Sequence, residues 1–155
     1  MSDLRLRAMT ASEFDVFRAR SEVGYAQAHV EAGDWDAEHA AQRAKEETQS
    51  LLPAGLDTPG MLFVTAEADA VVGRAWVALQ QGARAGAWIF DIEIDAEHRG
   101  RGHGRALLEA VEQLARERGA HAIGLNVFAR NEVASNLYRK AGYETTSLHM
   151  RKALG

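Results

Sequence analysis

The sequence predicts one α/β domain built on a central mixed, twisted sheet with helices on both faces. Three observations predict it. The chain has 155 residues, which is the length of one ordinary domain with one core. Helical and strand patterns alternate in its second half, which requires a parallel crossover. Three strand patterns follow one another closely in the middle, which favours antiparallel pairing. The expected order is β-α-α-β-β-β-α-β-α-β, with residues 1–155 as a single domain.

Each element of this order follows from the spacing of its apolar residues. A period of two indicates a strand, whereas apolar residues three and four apart indicate a helix. In chain order the sequence predicts a strand at 3–8, two helices between Thr10 and Pro53, strands at 61–66, 71–79 and 88–95, a helix at about 104–118, a strand at 123–128, a helix at 131–140 and a last strand at 143–151.

Local signals mark the helix ends. Thr10 stands three residues before Glu13, which is the capping-box spacing of a helix start, and Gly33 closes that helix. Pro53 ends the second helix because proline cannot continue one. Gly119 is a suitable residue directly after the third helix.

The composition excludes several classes of protein. Hydrophobic residues make up 46% and charged residues 26%, a globular balance. The absence of cysteine excludes disulfides, thiolate metal sites and a cysteine nucleophile. The net charge of −4 argues against a nucleic-acid partner, and no apolar run approaches the roughly 20 residues that span a bilayer. No signal peptide is evident and no histidine pair has metal-ligand spacing, so we expect a cytoplasmic protein without a metal.

A glycine-rich turn, Arg99-Gly100-Arg101-Gly102-His103-Gly104, leads from the predicted strand 88–95 into a helix. Alternate glycines allow close approach of a ligand, and a helix start presents unpaired N–H groups at the positive end of the helix dipole. Arg99, Arg101 and Arg105 add charge that suits a pyrophosphate. The spacing differs from the dinucleotide fingerprint and from the Walker loop. The alternative is a glycine-rich loop that only connects the strand to the helix and binds no ligand.

Two motifs in this half of the chain resemble those of one superfamily. They are Arg99-x-x-Gly102-x-Gly104 followed by Leu107-Leu108, and Asn131-x-x-Ala134-x-x-Leu137-Tyr138-x-x-x-Gly142-Tyr143. These resemble motifs A and B of the GNAT N-acetyltransferases, with one helix and one strand between them as that superfamily requires. The resemblance implies the GNAT acyl-CoA N-acyltransferase fold. It also implies direct transfer of acetyl from acetyl-CoA to an amine in a ternary complex, without a covalent enzyme intermediate.

The resemblance implies a set of residues that bind coenzyme A. The turn would cradle the pyrophosphate with backbone N–H groups, and the strand before it would pair with the pantetheine arm. A main-chain N–H near residues 92–94 would polarise the thioester carbonyl. The expected binding residues are Ile92, Ile94, Asp95, Arg99, Gly100, Arg101, Gly102, His103, Gly104, Arg105, Asn126 and Asn131. Asn131 can instead be a plain helix cap, and Asn126 a solvent-facing residue.

Two catalytic roles are expected on the same basis. Strand alternation puts Asp91, Glu93 and Asp95 on one face. By resemblance Glu93 is the first choice as general base and Asp91 the second, acting directly or through water. The alternative is that these acids are solvated or paired with arginines of neighbouring strands (Arg74 or Arg84). The resemblance makes Tyr138 the general acid for the departing thiolate, and its alternative is a packing role.

The acceptor is left open by the sequence. By resemblance its pocket is formed by residues 23–60 and 80–88, where Tyr25, His29, Trp35 and Trp76 or Trp88 could line it or belong to the core. A primary amine of a small molecule or peptide is the leading expectation. A protein N-terminus or lysine is the second, and a non-catalytic CoA sensor the third. A homodimer is one option, because the last predicted strand can pair within the chain or across two copies.

Overall fold

The computed structural model describes residues 3–80 and 85–155, and one five-stranded sheet organises them. The sheet order is β1-β2-β3-β4-β5, in which the first four strands are antiparallel and β5 is parallel to β4. This confirms the mixed α/β sheet. The strands are β1 Arg5–Ala8, β2 Met61–Glu67, β3 Val71–Gln80, β4 Gly86–Ile94 and β5 Ile123–Leu125. The helices are α1 Ala11–Ala32, α2 Ala40–Leu51, α3 His103–Glu117 and α4 Glu132–Lys140, with short 3₁₀ turns at Gly55–Asp57 and Ala96–His98.

Helices cover both faces of the sheet, as predicted. On one face α3 buries Leu107, Leu108 and Val111 against the sheet. On the other face the ring of Phe14 from α1 meets Phe63 of β2 edge to face, with centroids 4.7 Å apart. The predicted capping box is present, because Thr10 and Glu13 each accept a hydrogen bond from the backbone N–H of the other. None of the helices in the described parts is long and apolar enough to cross a membrane.

Strand β4 contains a β-bulge. Trp76 of β3 pairs with Asp91, but the next residue, Val77, pairs with Ile89, so Phe90 is an extra residue. Ile89 and Ile92 consequently both face the α3 side, while the ring of Phe90 stacks on Trp76 at 4.5 Å on the α1 side. Bulges of this kind re-aim side chains and occur often beside active sites.

Strands β4 and β5 part after a short paired stretch. Ala87–Ile89 pairs with Ile123–Leu125, and no further pair is formed among the described residues. β4 continues to Ile94, whereas the chain after Leu125 leaves the sheet. The predicted strand 123–128 is therefore shorter than expected, and residues 90–94 of β4 have an open edge.

The predicted last strand at 143–151 is wrong for this structure, in which residues 143–155 form no strand. Tyr143 is held by its N–H, which donates to the Tyr138 carbonyl. Beyond it, residues 144–155 make no backbone hydrogen bond with any other described residue. A strand requires a hydrogen-bonded neighbour, and a cavity lies between these residues and β5.

Candidate functional site

The glycine turn forms a run of free donors at the start of α3. Gly100 and Gly102 have positive φ angles of 77° and 81°, and Gly102 is the helix N-cap. The first N–H with an acceptor is that of Ala106, which donates to the Gly102 carbonyl at 3.2 Å. The six backbone N–H groups of residues 100–105 find no acceptor within the described chain. Such a run at a helix N-terminus suits a phosphate group.

The three arginines of the turn differ in their contacts. The Nε of Arg99 donates to the carbonyl of Ile94 at 3.0 Å, which ties the turn to the end of β4. The Nε of Arg105 pairs with Glu109 at 2.9 Å, one helical turn away. Arg101 is exposed and has no partner among the residues described. Of the three, Arg101 is therefore the one whose charge is not already engaged.

The open edge of β4 lies directly before this turn. The side chains of Ile92 and Ile94 pack toward the α3 core, so the strand is anchored through them. Its backbone edge on the β5 side is unpaired over residues 90–94 and can accept an extended ligand by main-chain hydrogen bonding. The alternation of the sequence alone did not predict the bulge at Phe90. A signal for it was present, because the isoleucines of this strand change from an odd position, Ile89, to the even positions Ile92 and Ile94.

The acidic face of β4 is arranged around Arg74. Its Nη1 lies 2.9 Å from Glu93 and 2.8 Å from Asp95, while its Nη2 bonds the second oxygen of Asp95 at 3.0 Å. Arg20 of α1 also donates to Glu93, at 2.8 Å. This bonding by Arg74 lowers the pKa of Asp95. Pairing with Arg74 was foreseen and pairing with Arg20 was not, while Arg84 lies outside the described residues.

Asp91 has a different environment from the other two acids. It is half-buried, and the loss of hydration there raises the pKa of its carboxyl group. A hydrogen bond from Ser21 of α1 opposes the rise in pKa, whereas the negative charge of Glu93 adds to it. Asp91 forms no ion pair with any described residue, so it is the acid on this face that can most readily take up a proton.

Tyr138 projects from α4 and is half-buried beside the α3 core. Burial raises the pKa of its phenol, and the charge of Asp91 raises that pKa further. Its hydroxyl makes no hydrogen bond with the described chain, whereas the hydroxyl of nearby Tyr143 donates to Glu112 at 2.8 Å. Tyr138 thus remains protonated at neutral pH with its proton uncommitted.

A cavity of about 1510 Å³ brings several of the predicted residues together. Tyr138, Asn126 and Asn131 all line it. The side-chain oxygen of Asn131 also accepts from the N–H of Ala134 at 3.2 Å, so Asn131 is the predicted cap of α4. Asn126 follows β5 directly and is exposed. The glycine turn at residues 99–104 does not line this cavity.

The predicted aromatic residues divide between this cavity and the core. His29 and Trp88 line the cavity, whereas Trp35 and Trp76 are buried. The ring of His29 stacks on Trp35 at 4.1 Å, so the buried indole supports a residue of the cavity wall. Burial and a hydrogen bond to Glu47 raise the pKa of Tyr25 to about 12. Residues 81–84 of the predicted acceptor segment lie outside the described residues.

Within the described parts of the chain, one exposed group could offer metal ligands, namely Asp36, Glu38 and His39. Asp36 accepts a hydrogen bond from the backbone N–H of His39 at 2.9 Å and lies 2.9 Å from its ring nitrogen. These contacts belong to the start of α2, since His39 is the residue directly before that helix. The grouping of these three side chains is therefore explained by the start of the helix.

Comparison with known proteins gives a consistent result. The model of the acetyltransferase (GNAT) family matches residues 23–143. The N-acetyltransferase YdgE of Bacillus subtilis is 32% identical over 96% of this chain and 97% of its own length. YycN of the same organism is 32% identical over 97% and 99%. The crystal structure of YycN superposes with a TM-score of 0.94, covering 97% of this chain and 98% of that one. A mycothiol acetyltransferase of Propionibacterium freudenreichii is 34% identical over 77% of this chain and 36% of its own.

Proposed function

This chain belongs to the GNAT family and is an acetyltransferase, and we propose that it moves acetyl from acetyl-CoA to a primary amine of a small molecule or peptide. One observation carries the proposal. Six free backbone N–H groups, 100–105, follow the open edge of β4, and the hydroxyl of Tyr138 makes no hydrogen bond with any described residue. We further propose that residues 1–155 act as one domain. A cytoplasmic place of action stays a prediction from the composition.

In this proposal the donor is held by two parts of the site. The free N–H groups and Arg101 bind the pyrophosphate, and the edge of β4 from Ile92 to Asp95 pairs with the amides of the pantetheine arm. Asn126 and Asn131 contact the same molecule from the other side of the gap. A main-chain N–H of residues 92–94 donates to the thioester carbonyl and stabilises the oxyanion that forms there.

We place the general base at Asp91 rather than at Glu93. Glu93 accepts hydrogen bonds from both Arg20 and Arg74, and protonation would weaken both. Asp91 is half-buried without such a pair, and its pKa is raised. Its carboxylate takes a proton from the substrate ammonium, directly or through a water molecule, and so frees the nitrogen lone pair.

The amine then attacks the thioester carbon, and the C–S bond breaks as the C–N bond is completed and the nitrogen releases its second proton to solvent. The departing thiolate takes the proton of the Tyr138 hydroxyl. This hydroxyl makes no hydrogen bond with any described residue, so its proton is available. The phenolate recovers its proton from solvent through the cavity. No acyl-enzyme is needed, which agrees with a chain that contains no cysteine. The relative named for mycothiol supports a low-molecular-weight acceptor over a protein.

The test is acetyl-CoA turnover with a panel of small amines and peptides. A colorimetric disulfide reagent detects the released thiol. The protein adds no background signal, because it has no cysteine of its own. Product mass identifies the acetylated amine. Acetylation of at least one amine, lost in Tyr138→Phe, is the expected result. Tight binding of CoA without any acetylated product would overturn the proposal and indicate a CoA sensor.

A further inference from the structure

We propose that the acetyl acceptor is a primary amine carried on a hydrocarbon chain, and that Gly24 of α1 leaves an opening in which this chain lies against Phe90. The inference rests on the proposed function, because it narrows the class of amine that reaches Asp91. It concerns the face of β4 that points toward α1, on the opposite side of the sheet from α3.

Helix α1 passes along β4 in the direction opposite to that strand. Near the middle of the helix, Ser21 forms a hydrogen bond with Asp91. Two helical turns later, Ala28 lines the same cavity as Trp88, which stands three residues before Asp91 in β4. The two steps match in length, because seven helical residues and three strand residues each advance about 10 Å. The part of α1 between these contacts therefore lies beside the same stretch of β4.

Gly24 lies within that part of the helix and leaves space beside it. A Cβ atom at Gly24 would meet no atom within 4 Å. Residues three apart are neighbours on a helix surface, so this space adjoins Ser21 and the acid that Ser21 contacts. Glycine in a helix interior is less favourable than alanine, and here no close approach of another chain segment requires it. The missing side chain is therefore best explained as an opening toward Asp91.

The β-bulge puts an apolar ring directly beside the acid at this opening. Asp91 pairs with Trp76 across the sheet, and the ring of Phe90 stacks on the same Trp76 at 4.5 Å. Phe90 is 38% exposed, although large apolar side chains on this face are otherwise buried between the helix and the sheet. An exposed ring next to a carboxylate suits an ammonium group on a hydrocarbon chain, because the ring removes the chain from water.

The charges on this face leave one carboxylate for one ammonium group. Glu93 and Asp95 are both paired with Arg74, and Glu93 is also paired with Arg20. Asp91 forms no ion pair with any described residue. A single cation therefore finds a free partner, whereas a second cation on the same molecule would meet carboxylates that arginines already engage. This charge balance favours a monoamine over a diamine.

Two amines of equal length test the class of acceptor. Hexylamine and cadaverine have the same number of non-hydrogen atoms, but the far end is a methyl group in the first and an ammonium group in the second. In steady-state turnover, wild type should give hexylamine the higher kcat/KM, on the order of tenfold, since small apolar contacts discriminate to this extent. Similar values, or a preference for cadaverine, would overturn the inference and leave acetyl transfer to amines intact.

Gly24→Leu tests the opening. Its side chain would fill the space, so the KM for hexylamine should rise on the order of tenfold or more. The CoA affinity and the Tm should be retained, because leucine favours a helix and its Cβ meets no other atom. Val16→Leu is the matched control, since Val16 lies on the same helix and is 60% exposed. It should leave the KM unchanged, and an unchanged KM in Gly24→Leu would overturn the inference.

Calorimetric binding of hexylamine to the CoA-saturated protein separates this inference from the proposed function. Binding that Gly24→Leu weakens, without acetylation of any amine, would support the opening and overturn the proposed reaction. Acetylation of amines that Gly24→Leu leaves unaffected would support the reaction and overturn the opening. A wild-type protein that neither binds nor acetylates hexylamine would also overturn the opening.

Discussion

The charge of Asp91 on β4 raises the pKa of Tyr138 on α4, so these two side chains lie within electrostatic reach of each other. They come from elements that are far apart in the chain and that no described backbone pairing joins. A raised pKa makes the carboxylate a better base. The phenol stays a neutral donor at physiological pH. The pair therefore has the two proton-transfer groups that amine acetylation requires.

Tyr138→Phe should lower kcat about a hundredfold or more, because it removes the proton for the leaving thiolate. Steady-state turnover and calorimetric binding of CoA check it, and the CoA affinity should be retained. Tyr143→Phe is the matched control, since its hydroxyl bonds Glu112 and serves packing. Equal turnover in Tyr138→Phe and wild type would remove Tyr138 from the mechanism.

Asp91→Asn and Glu93→Gln should separate the two candidate bases. The base works as a carboxylate, so kcat/KM should rise with pH through the raised pKa of Asp91 and then level off. We expect Asp91→Asn to lose most of its activity together with this ascending limb. Glu93→Gln should keep the limb. A pH profile altered in Glu93→Gln but not in Asp91→Asn would return the role of base to Glu93.

Asp91→Asn should also increase stability at neutral pH. The folded-state pKa of Asp91 lies above its unfolded value of 3.8, so folding favours the protonated form. Stability is consequently lost as pH rises from the unfolded pKa through the folded pKa. Thermal unfolding should give Asp91→Asn a higher Tm than wild type at pH 7 and no advantage near pH 3. A lower Tm at pH 7 would contradict the assigned environment of Asp91.

Gly102→Ala should weaken CoA binding on the order of tenfold or more, because its Cβ would stand among the free N–H groups. The left-handed backbone also costs about 1–2 kcal/mol of stability. Gly119→Ala is the matched control, since its φ of 88° carries the same strain at the other end of α3. Neither Cβ would meet a protein atom within 4 Å. Calorimetry should show reduced CoA affinity in Gly102→Ala alone.

The elements that local signals specify were predicted well. The glycine turn, the start of α3 and the caps at Thr10 and Asn131 depend on residues close in the chain, and all were found. The alternation of acids and isoleucines after Asp91 also holds. These features are encoded within one helical turn or one strand.

Features that depend on distant residues were not predictable in the same way. Arg20 reaches Glu93 only because α1 crosses that face of the sheet, which no local pattern specifies. The expected strand at 143–151 shows the same limit. Its alternating residues give it the capacity to pair, but pairing also requires an edge within reach, and the sequence does not state where that edge lies.

The extra residue at Phe90 changes which side chains of β4 face α3. Before it, odd-numbered side chains such as Ile89 enter the α3 core; after it, even-numbered side chains such as Ile92 do. Without this shift, regular alternation would direct Asp91 and Glu93 into that apolar core. Deletion of Phe90 would leave a regular strand in which Ile89 and Ile92 still face the α3 core, so it should be tolerated better than an added residue, which would turn the acids inward. The spacing, more than the aromatic ring, keeps a reactive surface and a hydrophobic one on the same strand.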